Sequence, residues 1–213
     1  MSSQTEASPT RRSDRQQALL LVGGMALVMW VVEVIDQVFS GADLDQYGIR
    51  PHNAPDGLIG IVFAPFLHAG FGHLIGNTIP FLVLGGMVAL SGLARVFAAT
   101  AIVVGVGGLG VWLLAPTGTD HIGASGVVFG YAAYLIARGF FSRNMLHLGA
   151  GVLVIALYGT TLLFGLAPRD GISWQGHLFG AVGGVVAARL LDARRPAASE
   201  PAAGAGPGRV AGL

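Results

Sequence analysis

Long apolar runs alternate with short polar breaks along this chain, and the runs recur six times. They fall at about 18–39, 73–90, 94–115, 125–140, 146–166 and 174–191. Most approach the length of about twenty residues that an α-helix needs to cross a bilayer. The first follows Arg11, Arg12 and Arg15 and could pass for a signal peptide. It is long for such an apolar region and has no clear small-x-small cleavage site before Glu33, so it reads as a span. Glu33 and Asp36 sit near its far end, where acids can reach the membrane interface. Residues 40–67 form a long connection with Asp43, Asp45, Arg50, Pro51, Pro55 and Pro65. Its apolar piece, Leu58 to Phe63, is too short to cross and is expected to lie in the interface. A shorter loop, 116–122, carries Pro116, Asp120 and His121. Residues 1–16 are polar and 192–213 are rich in Ala, Gly, Pro and Arg. Both ends read as disordered tails, which leaves a single membrane domain at 17–191.

Composition agrees with this pattern. The 213 residues are 53% hydrophobic and 11% charged, too apolar for an ordinary soluble domain. The 34 glycines suit helices that approach one another closely in lipid. Net charge is +1, so nucleic acid is not an expected partner. With no cysteine, disulfides, thiolate metal sites and cysteine nucleophiles are excluded. Every basic residue is Arg. Arg11, Arg12, Arg15, Arg95, Arg138, Arg143, Arg189, Arg194, Arg195 and Arg209 fall in the tails and around the even loops, whereas only Arg50 and Arg169 fall on the other side. The positive-inside rule then makes both termini cytoplasmic, in the plasma membrane of the cell. The expected fold is all-α: a six-helix polytopic bundle with a membrane-associated first loop outside. No internal repeat supports an inverted-repeat transporter.

In this topology spans two, four and six all enter from outside, and each starts with a chemically useful residue: His73, Ser125 and His177. Polar groups inside a membrane are costly and usually functional, and these three share one depth. Ser125 lies in Gly123-Ala124-Ser125-Gly126, where small neighbours allow close approach. It is a candidate nucleophile, with a simple helix cap as the plainer reading. No strand precedes it, so it is not the nucleophile elbow of soluble hydrolases. His177 is the candidate base, against the plainer reading of a histidine bonded to a carbonyl between helices. Gly176, Gly180 and Gly184 repeat every four residues, as do Gly126 and Gly130. Such stripes let two membrane helices touch and could bring His177 to Ser125. His73 and Asn77 share one face of span two and can both donate hydrogen bonds to an oxygen. His68 reads as a brace for the long loop.

His73 and Asn77 as HxxxN on span two, Gly123 to Gly126 as GxSG on span four, and Gly176 to Gly180 around His177 on span six together resemble the rhomboid intramembrane serine proteases. The resemblance covers roughly 17–191. It implies a Ser125–His177 dyad without an aspartate, and an oxyanion site made of Asn77, His73 and the Ser125 backbone N–H. Gly123, Gly126, Phe129 and Gly180 would support these groups. The expected substrates are transmembrane segments of other membrane proteins, cut within the lipid bilayer without a cofactor. Two departures stand out. Many bacterial members carry Trp-Arg in the first loop, but Gly60 stands about where that Arg would be. Many have a Tyr stacked on the base where this chain has Phe129, which keeps the ring and loses the hydroxyl.

Two other classes are consistent with parts of the pattern. One is a catalytically silent relative that binds client helices; retention of both Ser125 and His177 argues against it. The other is a metal site or proton relay using His68, His73, His121 and His177. No HExxH occurs and no carboxylate lies in spans two, four or six before Asp192, so no metal is expected.

Overall fold

The computed structural model describes residues 9–39, 43–169 and 171–192. Its helices are α1 (Pro9–Val38), α2 (Asp56–Phe63), α3 (Phe71–Ala89), α4 (Leu93–Leu114), α5 (Ser125–Ser142), α6 (Met145–Gly165) and α7 (Trp174–Asp192). Single 3-10 turns lie at Leu44–Tyr47 and Ala64–Phe66. Among the described residues there is no strand, only isolated bridges pairing Ile49 with His121 and Arg169 with Ile172. The architecture is all-helical, as the apolar pattern predicts. Residues 1–8 and 193–213, read above as tails, lie outside the described residues.

α1, α3, α4 and α6 are long and apolar enough to cross a membrane. α5 and α7 fall short of that composition, and their packing explains why. Both are central: α5 buries Val127, Tyr131, Tyr134 and Leu135, and α7 buries Gly180, Gly184 and Ala188. A helix shielded from lipid by its neighbours can carry Gly, Ser, Tyr and His instead of a continuous apolar surface. α6 is the opposite case, with most of its residues exposed and only Gly151 and Val154 buried.

Glycine sets the central contact. A Cβ on Gly180 would meet the Gly126 carbonyl, and one on Gly184 would meet the Gly130 carbonyl. The two stripes therefore interlock, backbone on backbone. α4 closes the third side, where a Cβ on Gly107 would sit 3.3 Å from the Gly180 Cα. Because lipid is as apolar as leucine, such contact depends on van der Waals fit more than on water exclusion. α1 joins through α3, where the Trp30 indole donates to Thr78 Oγ1 at 3.1 Å.

Three features depart from the sequence reading. First, α1 begins at Pro9, so residues 9–16 are helical instead of belonging to a disordered tail. The extension has a purpose: Asp14 Oδ1 accepts the Leu93 N–H at 3.2 Å and caps α4. Second, Glu33 does not point outward but is buried against protein, and neither carboxyl oxygen is hydrogen-bonded. Third, Asp192 ends α7 instead of starting a tail. Its carboxylate accepts bonds from Arg95, Arg138 and the Tyr134 hydroxyl, the last two at 3.0 and 2.7 Å.

The long connection is clasped to the end of α4. The His52 N–H donates to the Trp112 carbonyl at 3.1 Å, and the Trp112 indole N–H donates to the Asn53 carbonyl at 2.9 Å. His52 Nε2 lies 2.9 Å from the Leu113 carbonyl. α2, the apolar piece too short to cross, packs so closely that a Cβ on Gly60 would strike the Gly48 carbonyl.

Overpacking at the glycine seam should be costly. Gly184→Val is expected to destabilise the protein by about 1–3 kcal/mol or more. Gly149→Val on exposed α6, where a Cβ would meet nothing within 4 Å, should change little. Thermal unfolding of the two variants in detergent checks the contrast.

Candidate active site

The chain brings its candidate residues to the first turns of three helices. Ser125 is the first residue of α5, His73 lies in the first turn of α3, and His177 in the first turn of α7. Ser125, His177, His73, Asn77 and Phe129 all line one cavity of about 1120 Å³ between α3, α5, α6 and α7. A smaller cavity of about 50 Å³ lies on the other side of Ser125, against Ile61, Val103 and Gly107. Ser125 and His177 are not hydrogen-bonded to each other among the described residues; they face the same space.

Each imidazole is oriented by a backbone group. His177 Nδ1 lies 2.7 Å from the Gly165 carbonyl. A carbonyl only accepts, so Nδ1 carries the proton and the neutral ring keeps its lone pair on Nε2. The Phe129 ring stacks on the imidazole, centroids 4.1 Å apart and planes 6° from parallel. Gly165 makes room for both: a Cβ there would crowd the Phe129 ring and lie 3.1 Å from His177 Nδ1.

His73 is set the other way. The Ala69 N–H donates to His73 Nδ1 at 3.4 Å, a long bond that leaves the proton on Nε2. His73 Nε2 and Asn77 Nδ2 flank Gly123, at 2.9 and 3.6 Å from where a Cβ would stand. The Asn77 amide nitrogen is buried and has no partner. An orphaned buried donor costs about 1–3 kcal/mol, and Asn77 lines the large cavity.

The approach to Ser125 is pinned by three bonds. The Gly123 N–H donates to the Ala64 carbonyl at 2.8 Å, and the Ala124 N–H to His68 Nε2 at 3.3 Å. The third links His121 Nδ1 to Ser173 Oγ at 2.6 Å. Burial, aided by neighbouring His73, holds the His68 ring down to about 4, so it stays neutral and able to accept. Burial also pushes His121 below the ordinary histidine value, against the opposing pull of Asp120. His68 thus braces the segment carrying Ser125 as well as the long loop. Among the described residues, no three His, Asp or Glu side chains are grouped as a metal ion would need.

Sequence reasoning missed Gly165 and Ser173, and gave His121 only a loop position and a place in the histidine metal or proton-relay alternative. Gly165 contributes only a carbonyl, which no pattern reveals. Ser173 was open to detection, since a serine just before an apolar helix is a common cap. His121 is visible as a loop histidine four residues ahead of Ser125, but nothing in the sequence pairs it with Ser173.

The sequence profile of the Rhomboid domain matches residues 55–194. An uncharacterized protein of Mycobacterium tuberculosis is 47% identical over 199 residues, covering 87% of this chain and 82% of the relative. An uncharacterized protein of Mycobacterium leprae is 46% identical over 187 residues, covering 81% and 73%. A Bacillus subtilis protein bearing the name "Putative rhomboid protease YdcA" is 30% identical over 122 residues, covering 55% and 59%.

Gly123 offers a direct probe of this geometry. Its φ of +107° disfavours any side chain, and a Cβ would lie 2.7 Å from His73 Cε1. Gly123→Ala is expected to cost about 1–3 kcal/mol and to turn the His73 ring, read as a lowered melting temperature and a shifted imidazole NMR signal.

Proposed function

Since the chain belongs to the rhomboid family, we propose that this multi-pass membrane protein is an intramembrane serine endopeptidase. Ser125 is the nucleophile and His177 the general base. The observation that carries this reading is His177 itself: its Nδ1–H is committed to the Gly165 carbonyl, so Nε2 is left free in the cavity that Ser125 lines.

The reaction is acyl transfer to serine and then to water. Ser125 Oγ attacks the peptide carbonyl as His177 Nε2 takes its proton. The carbonyl oxygen, now negative, is held by the Asn77 amide, His73 Nε2–H and the Ser125 backbone N–H, which has no acceptor in the first turn of its helix. His177 returns the proton to the leaving amine, and water then releases the acyl group. Ser125 and His177 share no hydrogen bond in this structure; the bond forms as substrate enters the cavity, as catalytic hydrogen bonds often do. Phe129 fixes the imidazole plane, Gly126 and Gly180 fix the helix spacing, and Gly123 leaves room for His73.

The substrates are transmembrane segments of membrane proteins, reached through the bilayer. α6 presents most of its surface outward and lines the cavity opposite α3, so a segment arriving from lipid enters between these two helices. All six long helices cross the membrane in this reading, with α2 and its loop on the outer face. The membrane domain spans 17–191. In this reading the protein sits in the plasma membrane with both termini cytoplasmic, an orientation the Arg distribution supports.

Ser125→Ala and His177→Ala should abolish cleavage of a transmembrane substrate in liposomes, and Ser125→Ala should leave thermal unfolding unchanged. Asn77→Ala should lower kcat on the order of 10²- to 10³-fold. A fluorophosphonate should label wild type at Ser125 and not the alanine variant. Wild-type turnover by Ser125→Ala would sink the proposal, and a protein that binds client helices without labelling would favour the silent relative.

A further inference from the structure

His121 and Ser173 take no part in the chemistry above, yet they bridge its two halves. His121 stands four residues before Ser125, and Ser173 four residues before His177. We propose that the His121–Ser173 hydrogen bond is a strut that sets the spacing and rotation of the nucleophile relative to the base. The two would be positioning residues, not catalytic ones. This inference rests on the reading of Ser125 and His177 as the reacting pair.

Both ends of the strut are rigid. The His121 backbone exchanges two bonds with Ile49, N–H to carbonyl in each direction, both at 3.0 Å. Ser173 caps α7: its Oγ accepts the Gly176 N–H at 3.2 Å and its carbonyl accepts the His177 N–H at 3.1 Å. A shift of Ser173 therefore carries His177 with it. Between the two ends, Nδ1 and Oγ are 2.6 Å apart.

The direction of the bond follows from its neighbours. Thr119 donates its one hydroxyl proton to the Pro116 carbonyl at 2.6 Å. Its oxygen, 2.9 Å from His121 Nε2, must then accept from the ring. That leaves a lone pair on Nδ1 and makes the Ser173 hydroxyl the donor. Each donor in the chain from Gly176 to Pro116 has one acceptor. Burial of His121, which favours the neutral ring, supports this arrangement.

The glycine seam alone cannot do this work. Gly126 against Gly180 fixes how near α5 and α7 lie, but glycines have no side chains to resist sliding or rotation. His121 and Ser173 supply a directional link at the mouths of the same two helices. Both residues line the large cavity and the small one, so the link stands as the partition between them.

The test uses the full chain in liposomes with a transmembrane substrate. It compares His121→Ala, His121→Asn, Ser173→Gly and the double variant His121→Ala/Ser173→Gly. Glycine at a helix cap costs only a few tenths of a kcal/mol, so Ser173→Gly removes the strut with the helix start kept. His121→Ala and Ser173→Gly should each lower kcat and the rate of fluorophosphonate labelling by about 10- to 100-fold, with KM within about twofold. The double variant should be no worse than the poorer single one, because both remove the same bond. His121→Asn, whose Oδ1 can replace Nδ1 as acceptor, should recover most of kcat. Wild-type kcat in His121→Ala or Ser173→Gly overturns the strut, as do losses that multiply in the double variant or an Asn variant as poor as Ala. Should His121→Ala fail to fold, Ser173→Gly decides the matter. A wild type that neither labels nor cleaves instead overturns the reading of Ser125 and His177, and the strut with it.

Discussion

Backbone contact between α5 and α7 is the constraint on which the rest of this molecule depends. Where Gly180 meets the Gly126 carbonyl and Gly184 meets the Gly130 carbonyl, no side chain of any size can stand. Helices held so close bring their first turns together, and those turns carry Ser125 and His177. The same contact explains why these helices are the least lipid-like of the long ones. Surrounded by α3, α4 and α6, they are free to spend their surface on glycine, tyrosine, serine and histidine. An outer layer of more apolar helices then meets the bilayer.

A second constraint follows from burying polar groups at membrane depth, where water does not satisfy them. Such groups are paired with the backbone of another segment: His177 with Gly165 and His68 with Ala124. These bonds hold irregular segments beside the helices and fix which ring nitrogen bears the proton. Among the described residues the Asn77 amide nitrogen is buried and unbonded, as is His68 Nδ1.

Much of this was legible in the sequence because membrane helices announce themselves. Apolar length gave the long elements, and four-residue glycine spacing gave the seam between α5 and α7. Helix-start positions brought His73, Ser125 and His177 to one level, and all three line one cavity. What stayed hidden was contributed by backbone or by distant pairing. The Gly165 carbonyl has no side-chain signature. The polar residues at 9–16 looked unstructured because their partner, the start of α4, lies 79 positions away from Asp14. Glu33 was read as interfacial because a carboxylate near a helix end normally finds water, and nothing local said that it is covered. The missing Trp-Arg pair in the first loop was visible; that a tryptophan from the far end of α4 clasps the loop was not.

Asp192 has an implication for biogenesis. Its carboxylate is the shared counter-ion of Arg95 and Arg138, on α4 and α5, and its own side chain is 4% exposed. Ribosomes make it after every other part of the helical unit. The guanidinium groups of Arg95 and Arg138 are therefore made before the carboxylate they share, and neither has it until the final residue of α7 is in place. Pairing of α4 and α5 with α7 at this end thus waits on the last residue of that helix, so a chain that stops short of Asp192 lacks the carboxylate that ties the three together.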